Sequence, residues 1–285
     1  MNAIILAILS AVILGLNAVI IRKGVHRRPT SLNAFIVFVV AGILMWMLVF
    51  IVKSPMPSRE ATFFFMIAGI FAPGFASLFN FESIKRIRAT LTSSLVSTSP
   101  LFGTALAIIF LGERINIQIA LGTLSIVLGV IMISWFRPKK HVKLTDFSFA
   151  LGGAILVAIS IVIMKAGFSI SNLPYSAIAI STTSGVIVHF IIITIFKKWH
   201  TLSKTFNDIK YFIVAGFLIA TAIAILFTAL SVADVSIILP LMQTSTLFAI
   251  LFSWMLLRKH EPLTKHIVFG AVAIVMGAFL VMVGA

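Results

Sequence analysis

The chain has 285 residues, 61% of them apolar and 10% charged, whereas a soluble domain carries roughly 25% charged residues, so a water-soluble globule is excluded. It contains no cysteine, which removes disulfide frameworks, thiolate metal sites and cysteine nucleophiles together. The net charge of +15 does not point to nucleic acid, because the basic residues fall in short runs between apolar stretches, as topology signals and headgroup contacts do.

A bilayer core about 30 Å thick takes roughly 20 helical residues. Cutting the chain at its charged and Pro/Gly clusters gives ten segments, at 3–21, 32–52, 61–81, 90–111, 115–135, 147–167, 175–196, 211–230, 235–257 and 267–284. Their continuous apolar runs are about twice the length of a barrel strand, so the expected class is an all-α integral membrane protein of ten transmembrane helices. The first segment reads as a span and not a signal peptide. It lacks a basic leading region, its apolar run is long for one, and no small-x-small site precedes Arg22.

In chain order, the first span holds Asn17 and the third Asn80. The fourth carries Thr92, Ser93, Ser94, Ser97, Thr98 and Ser99 and meets Pro100. The fifth contains the stretch Gly122 to Gly129, and the sixth holds Ser160 and, near its end, Lys165. The seventh places Thr182, Gly185 and His189 on one helical face. The ninth answers the fourth with Pro240, Gln243, Thr244, Ser245 and Thr246, and the tenth contains the stretch Gly270 to Gly277. The connections after the odd-numbered spans carry 18 of the 22 Lys and Arg, which places those connections in the cytoplasm and both termini outside.

The chain repeats itself. At an offset of 148, Gly122, Ile126, Val127 and Gly129 match Gly270, Ile274, Val275 and Gly277, and Glu113 matches Glu261. At an offset of 146, Thr98 and Leu101-Phe102 match Thr244 and Leu247-Phe248, and Ser97 corresponds to Gln243. A weaker echo joins Arg22-Lys23-Gly24 to Lys165-Ala166-Gly167. Residues 1–140 and 141–285 are therefore two five-span repeats, and an odd number of spans inverts the second against the first.

The segments Pro100-Leu-Phe-Gly-Thr-Ala-Leu-Ala-Ile-Ile-Phe-Leu-Gly-Glu113-Arg and Gly122 to Gly129 resemble those of the drug/metabolite transporter superfamily, specifically the EamA-like ten-span permeases. The likeness runs over nearly the whole chain. In the second half Pro240 is displaced and Arg258-Lys259-His260-Glu261 replaces Gly-Glu-Arg. The resemblance implies two inverted bundles around a central cavity, with spans five and ten to one side and a dimer contact through them. It also implies export of amino acids, other metabolites or drugs, with nucleotide-sugar carriers as relatives. The family's termini are usually cytoplasmic, against the charge count here.

All seven acidic residues fall in connections or at span ends. The related four-span multidrug carriers use a glutamate in their first span, where this chain has only Asn17, so exchange of protons for a strongly cationic drug is not expected. Substrate contacts are expected from Asn17, Asn80, Ser97, Thr98, Ser160, Gln243 and Thr244, with carbonyls freed by the helix-breaking Pro100 and Pro240. Each is also a candidate for plain interhelical packing. His189 either couples transport to protons or is a histidine bonded to a backbone carbonyl. Lys165 either snorkels or meets an anionic substrate. No Walker loop, HExxH, GxSxG or dinucleotide fingerprint is present, so no metal, cofactor or enzyme chemistry is expected. The expected function is secondary transport of a small neutral or zwitterionic metabolite such as an amino acid. Nucleotide-sugar, sugar-phosphate and drug carriage, a membrane enzyme and a passive channel are the rivals. A small-molecule substrate and the lipid bilayer are the expected partners, and the expected location is a prokaryotic plasma membrane.

Overall fold

The computed structural model describes residues 2–25, 31–134, 144–196, 206–257 and 265–285. Among them the regular elements are α1 (Asn2–Val25), α2 (Ser31–Val52), α3 (Arg59–Gly69), a π-helical segment Ile70–Phe75, α4 (Ala76–Val96), α5 (Ser99–Leu111), α6 (Ile117–Ser134), α7 (Leu144–Ile170), α8 (Pro174–Ile195), α9 (Phe206–Val232), α10 (Val235–Met242), α11 (Ser245–Leu257) and α12 (Lys265–Gly284). Among the described residues, seven stretches are long and apolar enough to cross a membrane, and Ser99–Leu111, Ile117–Ile133 and Val268–Gly284 are shorter apolar helices. Helices are the form such a sequence must take, since lipid offers no partner for bare backbone amides and carbonyls. The outer surface carries Phe50, Ile109 and Phe110, each more than 70% exposed, and this multi-pass membrane protein turns them to the acyl chains.

The contacts between helices rest on small residues. Ala7, Ala68, Ala107, Ala154, Ala158, Ala177, Ala222 and Ala229 are fully buried, which lets backbones approach closely. One such close approach joins α6 and α12. A Cβ built on Gly122 would stand 2.6 Å from the carbonyl of Gly277, and one on Gly270 would stand 2.5 Å from that of Gly129. The pairs 122–277 and 129–270 run in opposite directions, so the helices are antiparallel. Both glycine faces are occupied within one protomer. The outward faces of the pair remain apolar and exposed, with Leu121, Leu124, Phe269 and Phe279 among them.

Three predicted spans are not continuous helices. The fourth breaks between α4 and α5, and the ninth between α10 and α11. The third breaks at Ile70–Phe75 around Pro73, where Ala72 leaves helical geometry at φ −146°, ψ 123°. The eighth, which is its counterpart in the repeat, is the unbroken α9. Residues 82–89, expected as a connection, are helical within α4. The Ser83 and Thr92 hydroxyls are nevertheless 2.8 Å apart, while nine residues of straight helix would rise about 13 Å, so the chain folds back inside this element. Arg86 fastens the bend to α7. It donates to Glu82 (3.0 Å) and Asp146 (3.4 Å) and lies 4.4 Å over the Phe149 ring. The bond to Glu82 holds its guanidinium above the ordinary pKa. The boundary expected at 140/141 and Arg258 to Glu261 lie outside the described residues.

Candidate substrate site at two broken helices

The breaks in the fourth and ninth spans are built alike. At the first, the Leu95 carbonyl accepts from the Thr98 amide (3.1 Å) and hydroxyl (2.6 Å), and the Thr98 carbonyl accepts from the Leu101 amide (3.0 Å). At the second, the Leu241 carbonyl accepts from the Thr244 amide (3.1 Å) and hydroxyl (2.7 Å), and the Thr244 carbonyl accepts from the Leu247 amide (2.9 Å). These are the same bonds 146 residues apart. In each, the threonine hydroxyl takes up a carbonyl that a continuous helix would have bonded to an amide one turn on.

The prolines act differently. Pro100 sits in the first turn of α5, where no amide donor is needed. Pro240 lies inside α10, where it withholds a donor from the preceding turn. The two breaks meet: the Gln243 side-chain amide donates to the Ser99 hydroxyl at 3.2 Å. Ser97, Ser99, Gln243 and Thr244 are all at most 9% exposed, and no ionisable side chain lies within 97–100 or 240–245. The crossing is a buried, uncharged, hydroxyl-rich joint between the halves.

Two further expected residues belong to a second polar cluster, at the break in the third span. Ser160 donates to the carbonyls of Ala68 (2.8 Å) and Ala72 (3.2 Å). His189 Nε2 lies 2.8 Å from the Ser77 hydroxyl and 3.2 Å from the Pro73 carbonyl. Its ring stacks on Phe38 at 5.6 Å, and Nδ1 is buried with no partner. Gly185, one turn before it, gives Pro73 room. Ser160 and His189 thus take up carbonyls that the break sets free.

Asn17 and Asn80 join neither cluster by a hydrogen bond. Their Oδ1 atoms are buried without partners, and that of Asn80 is pressed against Gly153 of α7. The Ser93 and Ser94 side chains lie outside the described residues.

A cavity of about 420 Å³ opens between α1, α2, α8 and α9, lined among others by Leu6, Met45, Tyr175, Phe217, Thr221 and Thr228. Sequence reasoning missed it because its walls are ordinary apolar helix faces. Thr221 and Thr228 donate to the carbonyls one turn back (3.0 and 2.8 Å), which leaves their oxygens free to accept.

Charged residues gather at the corner between α9 and α10. The Lys165 ammonium donates to the carbonyls of Leu230 (2.9 Å) and Ala233 (2.7 Å), so it neither snorkels nor stands open to an anion. The Glu113 carboxylate accepts from the amides of Val235 (2.7 Å) and Ser236 (3.0 Å). Two sequence signals pointed at Glu113, its match to Glu261 in the repeat and its place in the Leu-Gly-Glu-Arg segment, and neither named its partners.

Comparison with known proteins agrees with this architecture. A crystal structure of a protein 13% identical to this chain superposes with a TM-score of 0.83, over 99% of this chain and 98% of that one, which establishes a shared fold. No curated protein matches the sequence. The EamA-like transporter family matches at residues 1–135 and again at 146–283. Two matches, one to each half, cover the chain almost end to end, and the chain belongs to the EamA-like transporter family.

Proposed function

We propose that the protein is a ten-span secondary transporter that exports a small, neutral or zwitterionic, partly apolar metabolite such as an amino acid. It works by alternating access in a prokaryotic plasma membrane. The observation that carries this reading is the crossing of the two broken helices, joined by Gln243 and Ser99. Inverted halves that rock against each other need a joint where backbone is irregular yet satisfied, and such joints also present hydroxyls and carbonyls to a polar solute. The lack of charge there suits a solute that carries no strong net charge. The largely apolar cavity between α1, α2, α8 and α9 suits one with an apolar part.

Nucleotide-sugar carriage is less well supported, because the Lys165 ammonium is already engaged by two carbonyls. A homodimer through α6 and α12 is part of the proposal and would use their outward faces, since the glycine faces are taken within one protomer.

The test is solute flux into proteoliposomes, preceded by a thermal-shift screen of amino acids, sugars, nucleotide sugars and cationic drugs. A ligand present at 100 times its Kd stabilises the folded state by about 2.7 kcal/mol, so a hit names the class of solute. Counterflow of an amino acid is the expected result. Flux without counterflow would indicate a channel, and a response to nucleotide sugars alone would overturn the substrate class.

A further inference from the structure

We propose that Glu113 and Lys165 form a latch that holds one face of the transporter shut by gripping the corner between α9 and α10. The corner is only Ala233 and Asp234. On one side of it, Lys165 donates to a carbonyl in the last turn of α9, at Leu230, and to that of Ala233 in the corner itself. On the other, both carboxylate oxygens of Glu113 accept from the first amides of α10, at Val235 and Ser236. Each charge faces the helix end of opposite sign. Each also satisfies backbone groups that have no partner within their own helix.

Two features make this a latch and not merely a pair of caps. The first is its reach. Glu113 belongs to the first repeat and the corner to the second, so its two bonds tie the halves together, while Lys165 fixes the corner within the second half. Gly112 aims the carboxylate: at φ +67° it ends α5 in the left-handed region, with its own amide and that of Glu113 both on the Ala107 carbonyl.

The second is leverage. α10 is an eight-residue arm, held at its inner end by Gln243 on Ser99 and at its outer end by Glu113. Releasing the outer end frees the arm to swing about the break. The repeat keeps the same charge types at the matching positions, Arg22 for Lys165 and Glu261 for Glu113, whose side chains lie outside the described residues. The latch rests on the alternating-access reading, because the step it controls is the parting of the halves at this face.

The cysteine-free chain allows a direct test. Ser236→Cys places one thiol on α10 beneath the latch, at a position 1% exposed. Its modification by a membrane-impermeant maleimide is followed in vesicles. The expected result is slow labelling in the parent protein and labelling roughly tenfold faster with Glu113→Gln or Lys165→Met, in line with the loss of charge-assisted hydrogen bonds. Unchanged labelling in both backgrounds overturns the latch.

A second arm compares two states of one and the same protein, with a covalent tie in place of the carboxylate. A Glu113→Cys/Ser236→Cys pair is joined by a short, reducible thiol cross-linker. Cross-linking stops flux and reduction restores it; full flux from fully cross-linked protein overturns the latch. Labelling needs no substrate, so the two proposals fail separately. Responsive labelling with no flux of any solute removes the transport reading and keeps Glu113 and Lys165 as the clamp on the α9–α10 corner. Normal flux with unresponsive labelling does the reverse.

Discussion

The Ser125 hydroxyl donates to the carbonyl of Ala273 at 2.8 Å, and these two residues are counterparts in the repeat at the offset of 148. A residue that touches its own counterpart lies on the pseudo-two-fold axis. The glycine contacts 122–277 and 129–270 flank that point evenly. The broken helices meet in the same way, since the bond from Gln243 to Ser99 straddles the counterparts Thr98 and Thr244. The axis therefore passes through two joints of different kinds. One is a glycine-packed strut with no room to move, and the other is a polar crossing with a helix break on each side.

At the crossing, Gln243→Ala should reduce the initial rate of flux about fivefold while expression and folding persist. It removes a single neutral hydrogen bond of about 1 kcal/mol together with a side chain facing the joint. Ser99→Ala, which deletes the other partner, should lower flux to a similar degree, and the double variant should add little. Counterflow rates for the three proteins decide it, and unchanged kinetics in Gln243→Ala would take this residue out of the site.

The strut should be intolerant of any side chain. Gly270→Ala puts a Cβ 2.5 Å from the Gly129 carbonyl, a clash with backbone that the neighbour cannot relieve by changing rotamer. Overpacking of this kind typically costs 1–3 kcal/mol, so the thermal unfolding midpoint in detergent should fall. Gly42→Ala is the control: its Cβ would meet only the Thr182 methyl, at an ordinary 3.6 Å, and the midpoint should hold or rise slightly.

Ser160→Ala leaves the Ala68 and Ala72 carbonyls without their hydroxyl donor. Stranding buried acceptors costs roughly 1–3 kcal/mol, so the variant should melt earlier. If substrate binding is the main task of Ser160, flux would fall while the melting midpoint stayed at the parent value.

For His189, the geometry favours a donor to the Pro73 carbonyl over a proton carrier. His189→Gln keeps an N–H donor and cannot titrate between pH 5 and 8. The dependence of flux on pH should therefore match that of the parent protein. A flattened profile would return the residue to proton coupling.

The charge count predicts external termini. A tag fused after Ala285 should react with an impermeant reagent in intact cells. Reaction only after the membrane is opened would give this chain the family's usual orientation.

The sequence made the repeat legible because matched glycines, threonines and a glutamate recur at two fixed offsets, and the structure uses those same residues where the halves touch. The hydroxyl clusters at Ser97–Ser99 and Gln243–Ser245 marked the crossing for the same reason. Ser99 was less visible than Ser97, because contacts across a two-fold join residues displaced in opposite directions from the axis, not counterparts themselves. The roles of Glu113 and Lys165 were hidden for a plainer cause. Their partners are backbone amides and carbonyls more than sixty residues away, and backbone leaves no trace in composition or spacing. Pro73-Gly74 was in plain sight within the third segment, but a hydropathy window passes over a break that Ser77 repairs from the next turn and Ser160 and His189 from other helices.

That break has no twin, since α9 runs unbroken from Phe206 to Val232 where its counterpart bends at Ala72. A carrier with interchangeable halves would present identical affinities to its two sides. In the proposed alternating-access cycle the inward-open and outward-open forms are then different structures, which differ in energy and in the grip each has on its solute. Half-saturation measured from the two faces of a vesicle should then be unequal. Maximal rates must differ in the same ratio, because no carrier at equilibrium can pump.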